Sequence, residues 1–349
     1  MSVTLQNGSA TWGFDLTNSG FIFDFGGAAA IDNSNPRFGV GQAARFNGGA
    51  SGGVNINENA AQLFEGLASY CPSIPVSGWT IYREWYDATA GAVQVSLQVG
   101  SSGQFQFFQG SGTGTPIGPA SAANAIRLNQ WQQFQVHIIF NASTGKVELL
   151  DANSNVLITT AATQNTAPTG NAWCSRVYFF GVQSGSYWDD WYIADGTGPA
   201  PLNTYWGNVA VRGDVPNSDA SPNQFSTQPT QTTGNHYKNV DTISPNGTAY
   251  NYDNNPGDEE LYGYPSITGV KVLAINIWMS VELDAAGPRT VETVLVSSSV
   301  VQLGTPFTPT NTFSFYNTLS ATDPNTAASW ASGTVAAAQA AQLGIKVVS

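Results

Sequence analysis

Apolar side chains recur at every second position along most of this chain, and this period of two is the strongest constraint on its fold. The clearest example is residues 92–99, AVQVSLQV, in which aliphatic and polar residues alternate. Successive side chains of a β-strand point to opposite faces of the sheet, so such a segment has one buried and one polar face. The alternation predicts half-buried antiparallel strands and excludes an architecture built of amphipathic helices.

Several short segments of this kind are predicted in the first two hundred residues, separated by clusters of Gly, Asn, Ser and Pro. They are residues 21–25, 79–86, 92–99, 104–109, 133–140, 146–150, 155–160, 176–182 and 187–194. Many short strands between turn signals are typical of a β-sandwich or jelly roll. Residues 59–67 instead have apolar side chains at helical spacing, and we expect a short helix there.

A domain boundary is predicted near Gly198, because Gly and Pro occupy most of the sequence GTGPAPL that begins at residue 196. A chain of 349 residues is long enough for two cores, and we assign residues 1–198 and 199–349 to two domains.

The second domain is also expected to be a β-sandwich. Strands are predicted at 206–215, 270–283, 290–297, 313–319 and 345–348, an exposed loop at 220–234, and one or two helical turns at the alanine-rich 333–341. The expected fold class is therefore all-β, with two β-sandwich (jelly-roll-like) domains and minor short helices.

The balance of charges excludes nucleic acid as the main partner. The chain has 11 Lys and Arg against 23 Asp and Glu, which gives a formal net charge of −12. Phosphate backbones are bound by clustered basic residues, which this chain lacks. The 42% of hydrophobic residues favours a folded core over disorder. We also expect no membrane span and no signal-directed export, because neither an apolar run of 18 residues nor a signal-peptide pattern occurs.

Few residues could carry catalysis. The two histidines, His137 in a predicted strand and His236 in a polar loop, are expected to have structural roles. No GxSxG motif surrounds a serine. Glu84 and Asp87 are the closest approach to a pair of carboxylates, but their spacing predicts opposite faces of one strand. We expect no enzymatic activity and no catalytic residue, and a glycan-cleaving jelly-roll enzyme is the least favoured hypothesis.

Metal binding is restricted by the scarcity of soft ligands. Cys71 and Cys174 are predicted to be buried free thiols, although a single disulfide between them remains open. Calcium also remains open, because it takes oxygen ligands from loops. The candidate ligands are Asp189 and Asp190 in YWDDWYI, followed by the acidic loop 251–261, NYDNNPGDEEL. Neither fits the EF-hand pattern, and ordinary acidic loops are the alternative explanation. No other cofactor is predicted.

Four segments, taken in order, resemble the concanavalin-like, laminin-G-like jelly roll. They are AARFNGG at 43–49, WTIYREWY at 79–86, the hairpin sequence QWQQFQVHIIFNASTGKVELLDANSNVL at 130–157, and YWDDWYIADGTG at 187–198. The resemblance covers residues 1–198 and implies a fold, without implying an activity.

The second part of the chain resembles the C-terminal half of virion structural proteins of tailed bacteriophages. The runs that carry this resemblance are WGNVAVRGDVPNSD, NHYKNVDTISPNGTAYNYD, DEELYGYPSI, GVKVLAINIWMSVELDAAGPRTVETVLVSS and AASWASGTVAAAQAAQLGIKVV. It implies a non-enzymatic virion structural protein, a tail, fibre or capsid decoration appendage that assembles in the host cytoplasm. Its partners would be other virion proteins and further copies of itself, with a trimer as one option.

The alternative hypothesis is a carbohydrate-binding, lectin-like adhesin whose partner is a host surface glycan. Trp and Tyr rings stack on sugars, and the chain has 10 Trp and 13 Tyr. Most of these aromatic residues lie in or beside predicted strands, where core packing is the default explanation. This hypothesis predicts an exposed aromatic patch on one sheet face.

Overall fold

Antiparallel strands form nearly all of the regular structure of the protein. The structure is a computed structural model that describes residues 23–32, 34–37, 43–112, 114–196, 203–211, 213–229, 234–241, 248–267, 271–283, 289–333 and 335–349. The chain divides into two compact units, Met1–Gly213 and Asp214–Ser349. Among the described residues no helix has the length and hydropathy that a bilayer crossing requires.

The first unit contains one continuous sheet of twelve strands. They are β1 (Phe23–Asp32), β2 (Ala43–Ala60), β3 (Gln62–Tyr70), β4 (Trp79–Asp87), β5 (Ala92–Gly100), β6 (Phe105–Gln109), β7 (Pro116–Ile117), β8 (Trp131–Ile139), β9 (Lys146–Asp151), β10 (Val156–Thr159), β11 (Cys174–Phe180) and β12 (Ser186–Ala194). Their order is β10-β9-β8-β3-β12-β2-β11-β4-β5-β6-β7, and β1 pairs with β2.

The two halves of this sheet face each other across a single apolar core. The ring of Phe105 in β6 lies 4.8 Å from that of Phe134 in β8, although these strands belong to opposite ends of the strand order. Val95, Leu97 and Val99, three of the aliphatic residues that alternate along β5, lie in this core. Strand β2 joins the halves, because its first residues pair with β12 and its later residues with β11. The predicted all-β sandwich is thereby confirmed.

Two predicted elements that involve residues of the first unit are wrong, one of them assigned from the sequence to the second domain. Residues 59–67 are not a helix, because β2 continues to Ala60 and β3 begins at Gln62. Residues 206–215 contain no strand among those described. Instead, main-chain N–H groups of Gly207 and Val209 donate to side chains of β8. These contacts place residues 203–211, which we call the strap, in the first unit, so that unit extends beyond the expected boundary at 198.

The second unit combines a five-stranded sheet with two separate two-stranded sheets. Its strands are β13 (Ser218–Asn223), β14 (Ser226–Gln228), β15 (Tyr250–Tyr252), β16 (Glu259–Gly263), β17 (Ile275–Val281), β18 (Val291–Ser297), β19 (Val300–Leu303), β20 (Ser314–Ser320) and β21 (Gln342–Val347), and α1 spans Val335–Gln339. The five strands run in the order β13-β16-β21-β18-β19, while β14 pairs with β15 and β17 with β20.

The core of the second unit lies between the β17–β20 pair and the larger sheet. Ile277 of β17, Leu295 of β18 and the Trp330 side chain are buried together there. The expected helical turns at 333–341 are confirmed by α1. The expected strand 270–283 is shorter than predicted, and the expected loop 220–234 instead contains the end of β13 and all of β14, while its residues 230–233 lie outside the described part.

Candidate functional site

The outer face of β4, β5, β6 and β11 carries polar and aromatic side chains on the side of the sheet opposite the core. Strand register aligns one row of four residues across it, Tyr178, Glu84, Ser96 and Phe108. Their neighbours in sequence, such as Trp85 and Leu97, point into the core, which follows from the period of two. We call this row, together with Tyr86, Gln98 and Arg176, the polar face.

One half of the polar face is open. The Tyr86 and Tyr178 rings are nearly perpendicular, with centroids 5.6 Å apart, and the Arg176 guanidinium lies 4.5 Å from the centre of the Tyr178 ring. Gly53 of β2 makes room for that ring, because a Cβ there would lie 2.8 Å from the Tyr178 Cε1. This half offers partly exposed aromatic surface beside a positive charge.

The other half of the polar face is covered. Ser96 and Gln98 are fully buried although they point away from the core. Gln98 Nε2 donates to Ser96 Oγ at 3.1 Å, whereas Gln98 Oε1 accepts no hydrogen bond. Buried acceptors without a partner are uncommon, since they lose their hydrogen bonds to water without compensation.

Glu84 lies at the junction of the two halves. Its side chain is only 6% exposed, and its Oε1 accepts a hydrogen bond of 2.5 Å from Ser111 Oγ. Burial raises the pKa of Glu84, and the hydrogen bond from Ser111 acts in the opposite direction. No salt bridge joins Glu84 to a cation within the described part of the chain.

The cover is the loop between β6 and β7, residues 110–112 and 114–115, which we call the glycine-rich loop. Ser111 reaches Glu84 on β4, so the loop crosses the outer face of β5. A Cβ at Gly112 would lie 3.6 Å from Ile81 Cδ1 of β4. Gly114 allows the tight reversal, because a Cβ there would lie 1.5 Å from the carbonyl oxygen of Gln109.

The opposite half of the sandwich, on strands β8, β3 and β12, is crossed by the strap. Trp206 stacks on Tyr192 with centroids 4.5 Å apart, and Tyr205 donates to Glu148 at 3.2 Å. Beneath the strap, His137 stacks on Phe64 at 4.1 Å and its Nδ1 lies 3.2 Å from Glu148. His137 is thus held by a ring contact and a carboxylate, and its structural role stays a prediction.

The other expected structural residues are also placed. His236 Nδ1 lies 2.9 Å from Glu260. Cys71 and Cys174 are buried free thiols, and burial raises the pKa of each to about 12. The Asp87 carboxylate accepts hydrogen bonds from the turn after β4 and from the 169–171 loop, whereas Glu84 accepts one from Ser111.

The calcium candidates Asp189 and Asp190 lie side by side on β12, and both are buried. Arg37 Nη1 lies 2.7 Å from Asp190 Oδ2, and Val211 N donates to Asp190 Oδ1 at 2.7 Å. Arg37 N donates to Asp189 Oδ2. Burial raises the pKa of Asp190, and the Arg37 charge opposes this. The pair therefore anchors the strap and residues near Arg37, and a calcium ion bound there would have to displace these partners.

The second set of calcium candidates is dispersed. Glu259 pairs with Lys346 at 2.7 Å, and Glu260 is bound by His236 and by the main-chain N–H of Phe225. Asp253 and Asp258 each accept a hydrogen bond from Asn255. Within the described ranges, no group of three or more His, Cys, Asp or Glu side chains is placed to hold a metal ion.

The sequence analysis missed the covered half of the polar face. Alternation along β5 already indicated that Ser96 and Gln98 face away from the core. The run GSGTGT at residues 110–115 is a loop signal beside them. Nothing in the sequence, however, shows that this loop folds back over β5, since that depends on how the hairpin bends.

No family model and no curated protein matches the sequence. Similar solved structures include the cellulose induced protein Cip1, 11% identical, which covers 53% of this chain and 93% of its own at a TM-score of 0.40. Domain 4 of AbnA, a GH43 extracellular arabinanase from Geobacillus stearothermophilus in complex with arabinotriose, is 15% identical, with coverages of 56% and 93% and a TM-score of 0.36. Botulinum neurotoxin type C, which interacts with two ganglioside molecules, is 12% identical, with coverages of 50% and 42% and a TM-score of 0.36. At these values the similarities carry no functional argument.

Proposed function

We propose that the first unit is a non-enzymatic carbohydrate-binding, lectin-like module and that the polar face is its binding surface. The observation that carries this proposal is the continuity of the face. The aromatic pair Tyr86 and Tyr178 leads directly, through Glu84, to the polar side chains of Ser96 and Gln98.

These residue types match the two surfaces of a sugar ring. Aromatic rings provide flat apolar contacts for the C–H faces of a pyranose. Carboxylate, amide and hydroxyl groups then exchange hydrogen bonds with its hydroxyls and fix its orientation. Gln98 Oε1 accepts no hydrogen bond from the described residues, so it is an acceptor that a sugar hydroxyl would satisfy.

Binding without hydrolysis is favoured by the distribution of acids on this face. Glycoside hydrolysis uses two carboxylates about 5–10 Å apart on either side of the bond that is cleaved. Among the described residues of β4, β5, β6 and β11, Glu84 and Asp87 are the only acids. Asp87 is saturated by donors from adjacent loops.

The test is a glycan array followed by titration calorimetry with the oligosaccharides that bind. We expect Tyr178→Ala to weaken binding by about tenfold or more, because it removes the stacking surface. Tyr252→Ala is the matched control, since this tyrosine of the second unit is 48% exposed and lies off the polar face. Unchanged affinity in Tyr178→Ala would exclude the polar face. If no glycan binds, the proposed carbohydrate-binding function is excluded. If reducing ends are released from a bound glycan, the protein is a hydrolytic enzyme.

We further propose that this carbohydrate-binding protein is part of a bacteriophage virion, as the sequence resemblance implies. It would be an appendage of the tail, fibre or capsid that assembles in the host cytoplasm. Its support is the resemblance of the runs from 206 onward, and the comparisons add none. There the protein would contact other virion proteins, would be a homo-oligomer such as a trimer, and would bind a host surface glycan. Immunogold labelling of purified particles tests this setting, and intact particles without label would overturn it.

A further inference from the structure

The glycine-rich loop is attached weakly to the face that it covers. Ser111, Gly112 and Thr115 are exposed, whereas Glu84 beneath them is buried. Of the hydrogen bonds made by described loop residues beyond Gly110, only the one from Ser111 Oγ to Glu84 reaches β4 or β5. The others stay within the loop and β6. Gly110 N also donates to Gln94 O of β5, but this bond lies at the start of the loop and not over Ser96 and Gln98. A segment with several glycines, held over the face by one side-chain hydrogen bond, opens locally far more easily than a ladder strand.

The closed loop leaves a polar group in an unfavourable state. Gln98 Oε1 is shielded from water, and none of the described residues donates a hydrogen bond to it. Glu84 is shielded as well, with a single hydroxyl donor and no cation. Both groups would gain donors if a molecule rich in hydroxyls replaced the loop. The covered half of the polar face therefore has the properties of a binding subsite that is closed in the absence of its occupant.

We propose that the glycine-rich loop is a lid, latched by the Ser111–Glu84 hydrogen bond, which opens to admit one uncharged sugar residue onto Glu84, Ser96 and Gln98. This inference rests on the proposed function and assigns the regulation and ligand class of that site. The sugar is uncharged because Glu84 is an acid without a cation, and a uronate or sialic acid would bring a second negative charge against it. One sugar hydroxyl would donate to Glu84 in place of Ser111, and another would donate to Gln98 Oε1.

The first test measures opening without any glycan. A Ser96→Cys variant places a thiol under the lid, and its reaction with a thiol reagent reports exposure. The buried Cys71 and Cys174 are internal references, because their thiols react only when the unit unfolds. We expect the new thiol to react faster than these references, and about tenfold faster again when Ser111→Ala is added. Ser73→Ala, a change at an exposed loop serine, is the matched control and should leave the rate unchanged.

A new thiol that reacts no faster than the two references would overturn the lid, whatever the protein binds. Equal rates with and without Ser111→Ala would overturn the latch. If Ser96→Cys does not fold, the thiol-labelling experiment is replaced by hydrogen exchange of the Gly112 and Gly114 amides in the wild-type protein. Exchange as slow as that of β5 would then overturn the proposal.

The second test locks the lid. An ideal Cβ at Gly112 lies 3.9 Å from Ile81 Cγ1, the position that a cysteine sulfur would take at residue 81. The double variant Ile81→Cys/Gly112→Cys should therefore form a disulfide after small shifts. We expect the oxidised protein to lose affinity for neutral oligosaccharides and the reduced protein to recover it. Equal binding in both forms would overturn the lid and leave the proposed function intact.

The ligand class has its own readout. Wild-type protein should bind a neutral oligosaccharide more tightly than the matching uronate. In Glu84→Gln the ratio of the two dissociation constants should fall by about tenfold. A uronate that binds wild type as tightly as its neutral counterpart would overturn the assignment. If neither binds while the new thiol of Ser96→Cys is labelled rapidly, the proposed function fails and the lid motion stands.

Discussion

Arg83 Nη1 lies 3.0 Å from Glu65 Oε1 in the interior of the first unit, and neither side chain is exposed. A β-bulge between Ile81 and Arg83 breaks the alternation of β4, and the Arg83 guanidinium lies against the core ring of Trp188. The indole N–H groups of Trp85 and Trp191 donate to the Glu65 oxygens at 2.9 and 2.8 Å. Burial raises the pKa of Glu65, while the Arg83 charge opposes this. The core thus holds an ion pair with donors on both carboxylate oxygens.

Breaking this pair should destabilise the first unit strongly. We expect Glu65→Gln to lower the free energy of unfolding by about 3–5 kcal/mol, because it leaves the Arg83 charge buried without a counter-charge. The double variant Glu65→Gln/Arg83→Met should cost less than Glu65→Gln, because it also removes the unpaired charge and keeps an amide oxygen that can accept from a buried indole N–H group. Lys146→Met is the control, since Lys146 is 28% exposed in its pair with Glu148 and should change stability by less than about 1 kcal/mol. Urea unfolding measures all three, and a double variant worse than the single one would contradict the argument.

Protonation of His137 should destabilise the first unit in mild acid. Burial lowers the pKa of His137 from its usual 6.5, although Glu148 opposes this. The folded state therefore favours the neutral ring, so the contribution of His137 is complete above about pH 6.5 and is lost as pH falls through the lowered folded pKa. We expect wild type to lose stability relative to His137→Gln between about pH 7 and pH 5. A difference that is constant across this range, measured by urea unfolding at each pH, would refute the prediction.

Calcium should not stabilise the wild-type protein. The carboxylates of Asp189 and Asp190 already bind Arg37 and main-chain N–H groups, which an ion would have to displace. We expect the same Tm with excess calcium chloride and with EDTA. A Tm that rises with calcium in wild type, and fails to rise in Asp190→Asn, would instead support the calcium site at this pair.

Trp330 should control the stability of the second unit. It is buried in the small core with Ile277 and Leu295, so Trp330→Ala leaves a cavity that costs about 3–5 kcal/mol. Calorimetry should show two unfolding transitions, because we propose two domains with separate cores. The Tm of the second unit should fall and that of the first unit should stay unchanged. Tyr252→Ala, at an exposed position, should move neither. A joint fall of both transitions would show that the units unfold together.

Most strands could be predicted because alternation is local. In β5 and β8 one face is apolar and the other polar, so the period of two is readable without knowing any partner. Strand β3 was not predicted in this way, because both of its faces are covered. Leu63 and Leu67 face the core, while Phe64 on the other face is packed under His137 and Tyr205. The resulting apolar spacing matches a helix as well as a strand.

The candidate site was less predictable than the fold. The polar residues of β5 could be assigned to an outer face, but their burial depends on Ser111 reaching Glu84, a contact 27 residues apart in sequence. The strap was missed for the same reason, because Gly207 meets Gln135 across 72 residues. Contacts of this kind are made by individual side chains and leave no periodic signal.

Strand β2 has a consequence for how the protein is synthesised. Its described partners besides β1 are β11 and β12, which follow it by more than a hundred residues, and β3 also pairs with β12. Until β12 has left the ribosome, β2 and β3 lack these neighbours and expose open hydrogen-bonding edges, a state prone to aggregation. The sandwich can close only late in translation, and chains released before residue 194 are expected to need chaperones or be degraded.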